Sequence, residues 1–246
     1  MSATRSGRWR RTPTCRASFC KRLSRRAGTS ATPLDGDKTT GHISAMARPD
    51  VRERLLDAGV EIFHRCGFNG CGVQEITEAA GVPKGSFYNH FVSKEALGAA
   101  VLDRYWQQRA GAALRILEDG EVRPHERLRR HFAAMAANMA KRGYTGGCLI
   151  GNLGAELSDH SKLVCERLAA VLAEWTEAVE TCIRQAQRED GIRADCDAGV
   201  LAAFLINAWE GAVLRAKVDK NAVPLEEFDE VVFGKLLASA SNPMRN

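Results

Sequence analysis

Apolar residues recur every three or four positions along most of the chain from Pro49 onward, the spacing of α-helices with one buried face. The alternation of apolar and polar residues that predicts strands is missing from the pattern. Gly, Pro, Ser and Asn punctuate the helical segments at 67–72, 81–83, 120–124, 143–147, 158–161, 190–194 and 221–224. The pattern therefore predicts an all-α protein.

The first helical segments are short and close together. Val73, Ile76 and Ala80 mark a helix of about two turns, and a further short helix follows Pro83. Gly81 between them permits the tight turn of a helix-turn-helix. Ser93 then predicts the N-cap of a longer helix. We expect a three-helix DNA-binding domain over 47–93 and a helical ligand-binding and dimerisation domain over 94–240.

The third predicted helix has two unlike sides. At 100° per residue, Phe87 and Phe91 share one side and can dock on Phe63 and Ile76. The opposite side carries small and hydrogen-bonding residues, namely Gly85 and Asn89 with Ser86 and Tyr88 beside them. Such a surface allows close approach to base edges in a major groove. Basic and polar side chains around it are predicted to reach phosphates: Lys84, Tyr88, His90 and Lys94.

The run GFNGCGVQEITEAAGVPKGSFYNHFVSKEAL, residues 67–97, resembles the DNA-binding domain of the TetR/AcrR family, and the resemblance extends over about residues 52–102. Gly72 departs from the family, which usually has Ser or Thr there. The resemblance implies a bacterial regulator, usually a repressor, that binds a palindromic double-stranded DNA operator as a homodimer and releases it when a small-molecule inducer binds. It also implies DNA contacts by Gln74, Thr77, Lys84, Gly85, Ser86, Tyr88, Asn89, His90 and Lys94.

Charge is unevenly divided along the chain. The net charge is +5, but residues 1–46 carry ten Lys/Arg against two Asp/Glu, leaving 25 against 28 for residues 47–246. DNA contact should therefore be local rather than spread over a broad basic surface. The leader, 1–46, is expected to be disordered. It could be a transit segment, a basic arm on DNA phosphates, or, the interpretation we favour, sequence upstream of a start at Met46.

Two apolar stripes in the predicted C-terminal domain are candidates for a dimer interface. One stripe has Val164, Leu168, Val171, Trp175, Val179, Cys182 and Ala186, and the other has Leu201, Leu205, Ala208 and Ala212. Each could instead be internal core. Because two-fold homodimers are the commonest oligomers and suit paired half-sites, the dimer interpretation is favoured.

Several C-terminal residues are predicted to bind the ligand: Phe132, Met135, Met139, Cys148, Asn152, Trp175, Asn207, Trp209 and Lys217. The dipole of the helix after Cys148 should lower the pKa of its thiol, which would suit electrophile sensing, although simple packing is favoured. The GCL segment and the WEGAVLRAK segment resemble the subgroup with the N-ethylmaleimide-reductase and acrylate-responsive repressors. That subgroup's sensing cysteine aligns near Ala140, so its redox mechanism does not transfer.

Other functions have weaker support in the sequence. His64, Cys66 and Cys71 lack the spacing of a zinc site, and Gly67–Gly72 follows a helix where a nucleotide loop would follow a strand. We expect no metal or cofactor. No apolar run approaches the ~20 residues of a membrane span, and the eight cysteines indicate reduced thiols in cytoplasm. A cysteine-dependent enzyme for electrophiles stays the alternative, resting on Cys148 alone; an activator or a ligand-independent regulator also remains open.

Overall fold

The computed structural model describes residues 50–189 and 191–238, with every side chain there except those of residues 109 and 110. In this part of the chain all regular structure is helical, as the apolar pattern predicted. The predicted leader, 1–46, lies outside the described residues. The α-helices are α1 Val51–Cys66, α2 Val73–Ala80, α3 Lys84–Tyr88, α4 Lys94–Tyr105, α5 Gly111–Glu118, α6 Pro124–Lys141, α7 Leu149–Leu157, α8 Lys162–Arg188, α9 Ala198–Asp219 and α10 Val223–Val231.

Local chemistry explains where these helices begin and end. Ser93 caps α4, because its hydroxyl accepts a hydrogen bond from the backbone N–H of Ala96 at 3.1 Å. Gly81 ends α2 in the left-handed conformation, with φ +63°. Pro124 and Pro224 lie in the first turns of α6 and α10, where a missing N–H leaves no gap in the helix. The breaks predicted from composition thus coincide with the observed helix ends.

Two π-helical turns were not predicted. Trp106–Ala110 joins α4 to α5, and Val232–Leu236 follows α10. A π turn shifts the helix register without needing a Gly or Pro in its interior, so composition alone does not predict it. The first of these turns brings Trp106 into the core, where the ring centroid lies 6.2 Å from that of Trp175.

The long stripe of α8 is core, which corrects the prediction of a dimer interface. All seven of its residues are buried within the single chain, including Val171 and Val179 at 0% exposure. Leu201 and Leu205 of the second stripe are buried as well, and Ala208 and Ala212 are partly buried. Packing between α8, α9, α6 and α4 covers these faces. Periodicity identified the apolar faces correctly but could not say which neighbour covers them.

Helix α9 also carries an apolar stripe that the sequence analysis did not name, and the structure leaves this stripe exposed. Val200, Phe204, Leu214 and Val218 are 52–68% exposed, and Asn207 and Gly211 complete the same line at steps of three and four residues. Within the described residues, α9 also has the length and hydropathy of a membrane span. Its other face packs on α8 and α10, so the apolar residues of that face belong to the core.

The predicted domain boundary near residue 93 lies inside a single structural unit. The described residues, 50–189 and 191–238, belong to a single unit, and α1 packs on α4. Arg104 of α4 pairs with Glu53 of α1 and lies 3.7 Å from Asp57. The division near residue 93 therefore stays a prediction.

Candidate nucleic-acid interface and ligand cavity

Helix α3 has the orientation that groove reading requires. Phe87 is 0% exposed and Phe91 is 5% exposed, and their ring centroids are 5.7 Å apart. Both belong to the core that contains Phe63 and Ile76. Tyr88, by contrast, is 59% exposed, and Asn89 is exposed beside it. The predicted inward and outward sides of this helix are confirmed.

The remaining candidates on α3, and His90 just after it, lie on the same open surface. Lys84, Gly85 and His90 are exposed and Ser86 is half-buried. A Cβ at Gly85 would meet no atom within 4 Å, so this stretch of backbone is bare toward solvent. Gln74 is exposed on α2, where its amide donates to Glu78 at 3.0 Å. These residues form a continuous polar face that duplex DNA can approach.

Thr77 is a correction to the predicted contact set. Its side chain is 1% exposed, and its hydroxyl donates to the carbonyl of Gln74 at 2.9 Å. The residue lies beside Ile76, in the core between α1 and α2. A buried, satisfied hydroxyl cannot reach DNA while the fold is intact, so Thr77 supports the helix pair instead of reading bases.

Lys94 is a second correction. Its ammonium donates to the carbonyls of Phe68 and Cys71, both at 2.9 Å, and lies 4.1 Å from the centroid of the Phe68 ring. The side chain is half-buried beneath the α1–α2 loop. Because the ammonium is turned into this loop, we assign Lys94 to holding the loop rather than to a phosphate contact.

A cavity of about 160 Å³ lies inside the C-terminal helices. Its walls come mainly from α5, α6 and the start of α7, and they include three tryptophans, Trp106, Trp175 and Trp209. Polar groups are few: Tyr105, His131, Asn138, Arg142 and the thiol of Cys148. A mostly apolar enclosure with a few polar groups is the usual form of a small-molecule site.

The predicted ligand residues divide into three groups. Met135, Met139, Cys148, Trp175 and Trp209 line the cavity, as expected. Phe132 does not: it is 2% exposed and packs in an aromatic cluster, its ring centroid 5.4 Å from that of Trp209. Asn207 is also wrongly placed by the prediction, because it lies on the exposed line of α9.

Asn152 and Lys217 form a structural pair outside the cavity lining. The Lys217 ammonium donates to the Asn152 side-chain oxygen at 3.1 Å, and the Asn152 amide donates to the Gly146 carbonyl at 2.6 Å. The pair thus ties the α6–α7 loop to α9. Their effect on a ligand would act through this loop, which continues into the cavity wall at Gly147 and Cys148.

His131 is a cavity residue that the sequence pattern did not reveal. It is 1% exposed; its Nδ1 donates to the Ala113 carbonyl at 2.9 Å, and its Nε2 accepts from the indole N–H of Trp175 at 3.0 Å. Only the neutral ring with its proton on Nδ1 satisfies both bonds. Burial lowers the pKa of His131 to about 4, although the bond to Ala113 opposes the shift.

The free energy of unfolding should therefore depend on pH through His131. Because the folded pKa lies below the ordinary 6.5, this stabilisation is complete above pH 6.5 and is lost as the pH falls toward 4. The loss is about 1.4 kcal/mol per pH unit, or about 2 kcal/mol between pH 6.5 and 5. Urea titrations should show a steeper decline for the wild type than for His131→Gln. Parallel declines would contradict the prediction.

Burial, not the helix dipole, determines the direction in which the pKa of the Cys148 thiol is shifted. Cys148 is the N-cap of α7, but desolvation raises its pKa strongly, and the neighbouring Glu210 carboxylate raises it further. Burial likewise raises the pKa of Glu210, whose Oε1 has no hydrogen-bond partner. The expected lowering of the thiol pKa is wrong. The thiol stays protonated at neutral pH, which disfavours a nucleophilic role.

The rates at which Cys66 and Cys148 are alkylated compare the reactivity of the two thiols directly. Cys66 is exposed at the end of α1, whereas Cys148 is partly buried and its thiol lies beside Glu210. With limiting iodoacetamide at pH 7, peptide mass spectrometry should show Cys66 modified at least ~10-fold faster than Cys148, since Cys66 is accessible and the Cys148 thiol is held protonated. Faster modification of Cys148 would restore the electrophile-sensing hypothesis.

The polar cavity residues on and after α6 that the sequence analysis missed share one reason. His131 and Asn138 lie on α6, and Arg142 directly follows it, beside the predicted stripe of Phe132, Met135 and Met139. Steps of three and four residues connect them to Met135, so a parallel stripe was visible in the sequence. A polar stripe does not by itself indicate a cavity, because polar residues on a helix are usually solvated.

Two family models match the chain. The model for bacterial regulatory proteins of the tetR family matches residues 55–101, and the tetracyclin repressor-like C-terminal domain matches residues 124–232. Together they span the candidate reading helices and most of the cavity wall.

Individual proteins are similar over most of the described chain. The HTH-type transcriptional repressor DhaR of Mycobacterium sp. (strain GP1) is 43% identical over 197 residues, 80% of this chain and 98% of that protein. The transcriptional regulator AcuR of Cereibacter sphaeroides is 36% identical over 183 residues, 74% of this chain and 83% of that protein. A crystal structure of a regulatory protein TetR from Rhodobacter sphaeroides superposes with a TM-score of 0.72 at 35% identity, covering 76% of this chain and 99% of that one.

Proposed function

The chain belongs to the TetR family of bacterial regulatory proteins, and from this premise we propose that it is a repressor that leaves its operator when a small molecule fills the cavity. The observation that carries the DNA-binding part is the orientation of α3: Phe87 lies inward, and Tyr88 and Asn89 lie outward on a bare polar face. Since such a regulator must reach bacterial DNA, we place its action in the cytoplasm.

The operator is proposed to be read by a homodimer. The exposed stripe of α9, with Val200, Phe204, Leu214 and Val218, repeats at steps of four and three residues, the spacing at which helices pack side by side. Gly211 lies in this line, and a Cβ there would meet no atom within 4 Å, so a second helix can approach closely. A two-fold copy would cover this stripe and place two α3 helices on successive major grooves.

The inducer is proposed to be compact and largely apolar. A cavity of about 160 Å³ is close in size to an engineered apolar cavity that holds benzene, so a ligand of on the order of ten heavy atoms fits. Both nitrogens of His131 are already hydrogen-bonded, and the thiol of Cys148 is held protonated, whereas Arg142 adds a positive charge to the wall. The tryptophans therefore favour a flat, largely apolar molecule, and the charge of Arg142 suits a polar group on it.

Selection from random duplexes tests the DNA-binding function. The full chain should enrich an inverted repeat whose half-site centres lie about one helical turn, or about 34–36 Å, apart. Its affinity should exceed that for unrelated duplex by at least roughly 1,000-fold at physiological salt. Enrichment of no common sequence would argue against the proposal. A screen of compact aromatic compounds, followed by tryptophan fluorescence, then identifies those that release the enriched duplex.

A further inference from the structure

One short helix, α7, connects the cavity with the loop between α1 and α2. Gly147 and Cys148 before α7 and Ile150 in its first turn line the cavity. Glu156 lies near its other end, about 10 Å along the helix axis from the first residue at 1.5 Å per residue. Any movement of the cavity wall at Cys148 therefore reaches Glu156 through less than three turns of helix.

Glu156 binds the α1–α2 loop through both carboxylate oxygens. Oε1 accepts from the backbone N–H of Phe68 at 3.0 Å, and Oε2 accepts from that of Asn69 at 2.7 Å. Charge strengthens both bonds. Gly67 makes the approach possible: its φ is +76°, and a Cβ there would lie 2.5 Å from Oε1. The loop is shaped to receive this carboxylate.

Lys94 holds the same loop from α4. It donates to the carbonyls of Phe68 and Cys71, while Glu156 accepts from the amides of Phe68 and Asn69. The loop thus lies between a carboxylate of α7 and an ammonium of α4. Gly72 at its end begins α2, which packs on α3. The position of the loop therefore sets the position of the reading helix.

A second contact attaches the start of α7 to α1. His64 Nε2 donates to the carbonyl of Gly147 at 2.7 Å. The ring packs closely on Gly146, where a Cβ would lie 2.7 Å from it. With His64 at one end and the Glu156 loop contact at the other, α7 is joined to α1 and its following loop at two points.

We propose that Glu156 is the positioning residue that transmits occupancy of the cavity to the reading helix. This rests on the proposed function and adds the route of its regulation. A molecule that displaces Gly147 and Cys148 moves α7 as a rigid element, because its Leu149, Leu153 and Leu157 are packed in the core. The carboxylate carries that shift to Phe68 and Asn69, and α2 and α3 follow.

A double-mutant cycle tests the route without a known inducer. Ala134 lines the cavity, so Ala134→Trp fills it with a fixed aromatic ring. In the full chain this change should weaken binding to the enriched duplex at least ~10-fold, within the usual range of allosteric coupling. In a Glu156→Gln background, which has lost the charge and one acceptor, the same change should weaken binding less than ~3-fold. Glu118→Gln, an exposed site on α5, is the matched control and should leave the ~10-fold effect intact.

Equal effects of Ala134→Trp in the two backgrounds would overturn the proposal, and so would no effect in the wild type. Ile116→Trp fills the cavity from α5, and the cycle is repeated with it in case the first variant folds poorly. Amide hydrogen exchange gives a readout that needs no DNA: filling the cavity should speed exchange at Phe68 and Asn69. If the wild type enriches no duplex, the proposed repressor function is wrong. If hydrogen exchange at the amides of Phe68 and Asn69 does not change when the cavity is filled, the proposed route through Glu156 is wrong.

Discussion

Replacing Phe204 with glutamate is expected to leave the chain folded but monomeric. Phe204 is 52% exposed on α9, so the single chain tolerates a carboxylate there. In a two-fold dimer the residue and its copy lie in the same interface, and each buried, unpaired charge costs about 3–5 kcal/mol. Because a monomer contacts only one half-site, affinity for the enriched duplex should fall by at least roughly 100-fold. Analytical ultracentrifugation and gel shifts measure the two effects.

Val231→Glu provides the matched control for this experiment. Val231 is also 52% exposed, but it lies on α10, away from the α9 stripe. This variant should remain dimeric and bind DNA like the wild type. A dimeric Phe204→Glu protein, or a loss of dimer in both variants, would show that the stripe of α9 is not the interface.

Replacing Tyr88 with alanine is expected to abolish retention of the operator in a gel shift while the dimer stays intact. The ring is 59% exposed and packs edge-on against Phe87 at 5.2 Å between centroids, so it is presented by the core without being part of it. A lost contact costs about 1–3 kcal/mol, and the dimer loses it twice, which is roughly 30-fold or more in affinity. Undiminished retention would contradict the prediction.

Gly85→Ala complements this test because it should not lower the stability of the protein but should lower its affinity for DNA. The added Cβ meets no atom within 4 Å in the free protein, and alanine favours helix over glycine by up to about 1 kcal/mol. The melting temperature should therefore stay the same or rise. Affinity for the enriched duplex should nevertheless fall, because the methyl group occupies the space that the bases would take. A variant that is more stable and binds as well as the wild type would place Gly85 outside the interface.

Prediction from the sequence succeeded where the deciding forces are local. The helix breaks follow from the conformations of Gly and Pro, and the Ser93 cap follows from a hydroxyl three residues before Ala96. The inward turn of Phe87 and Phe91 follows from the 3.6-residue period. The resemblance of residues 67–97 to the TetR/AcrR family is confirmed by the family models and the relatives.

The errors share a different origin. The resemblance to the family implied that Thr77 and Lys94 contact DNA, yet the Thr77 hydroxyl donates to a carbonyl of α2 and the Lys94 ammonium donates to two loop carbonyls. The Cys148 thiol was expected to ionise because it begins a helix, but burial outweighs the helix dipole. In each case, packing that the spacing of residues does not reveal sets the environment of the side chain.

The sequence by itself determined the helices, their breaks and the side of α3 that faces away from the core, because these depend on neighbours within a few residues. Only the tertiary structure decided which apolar stripe is core and which is free, since every stripe has the same period until a partner helix covers it. It likewise decided that Glu156 reaches Phe68 and Asn69, 88 and 87 residues away. No periodicity records a contact across that distance, because it exists only when α7 is packed beneath the loop.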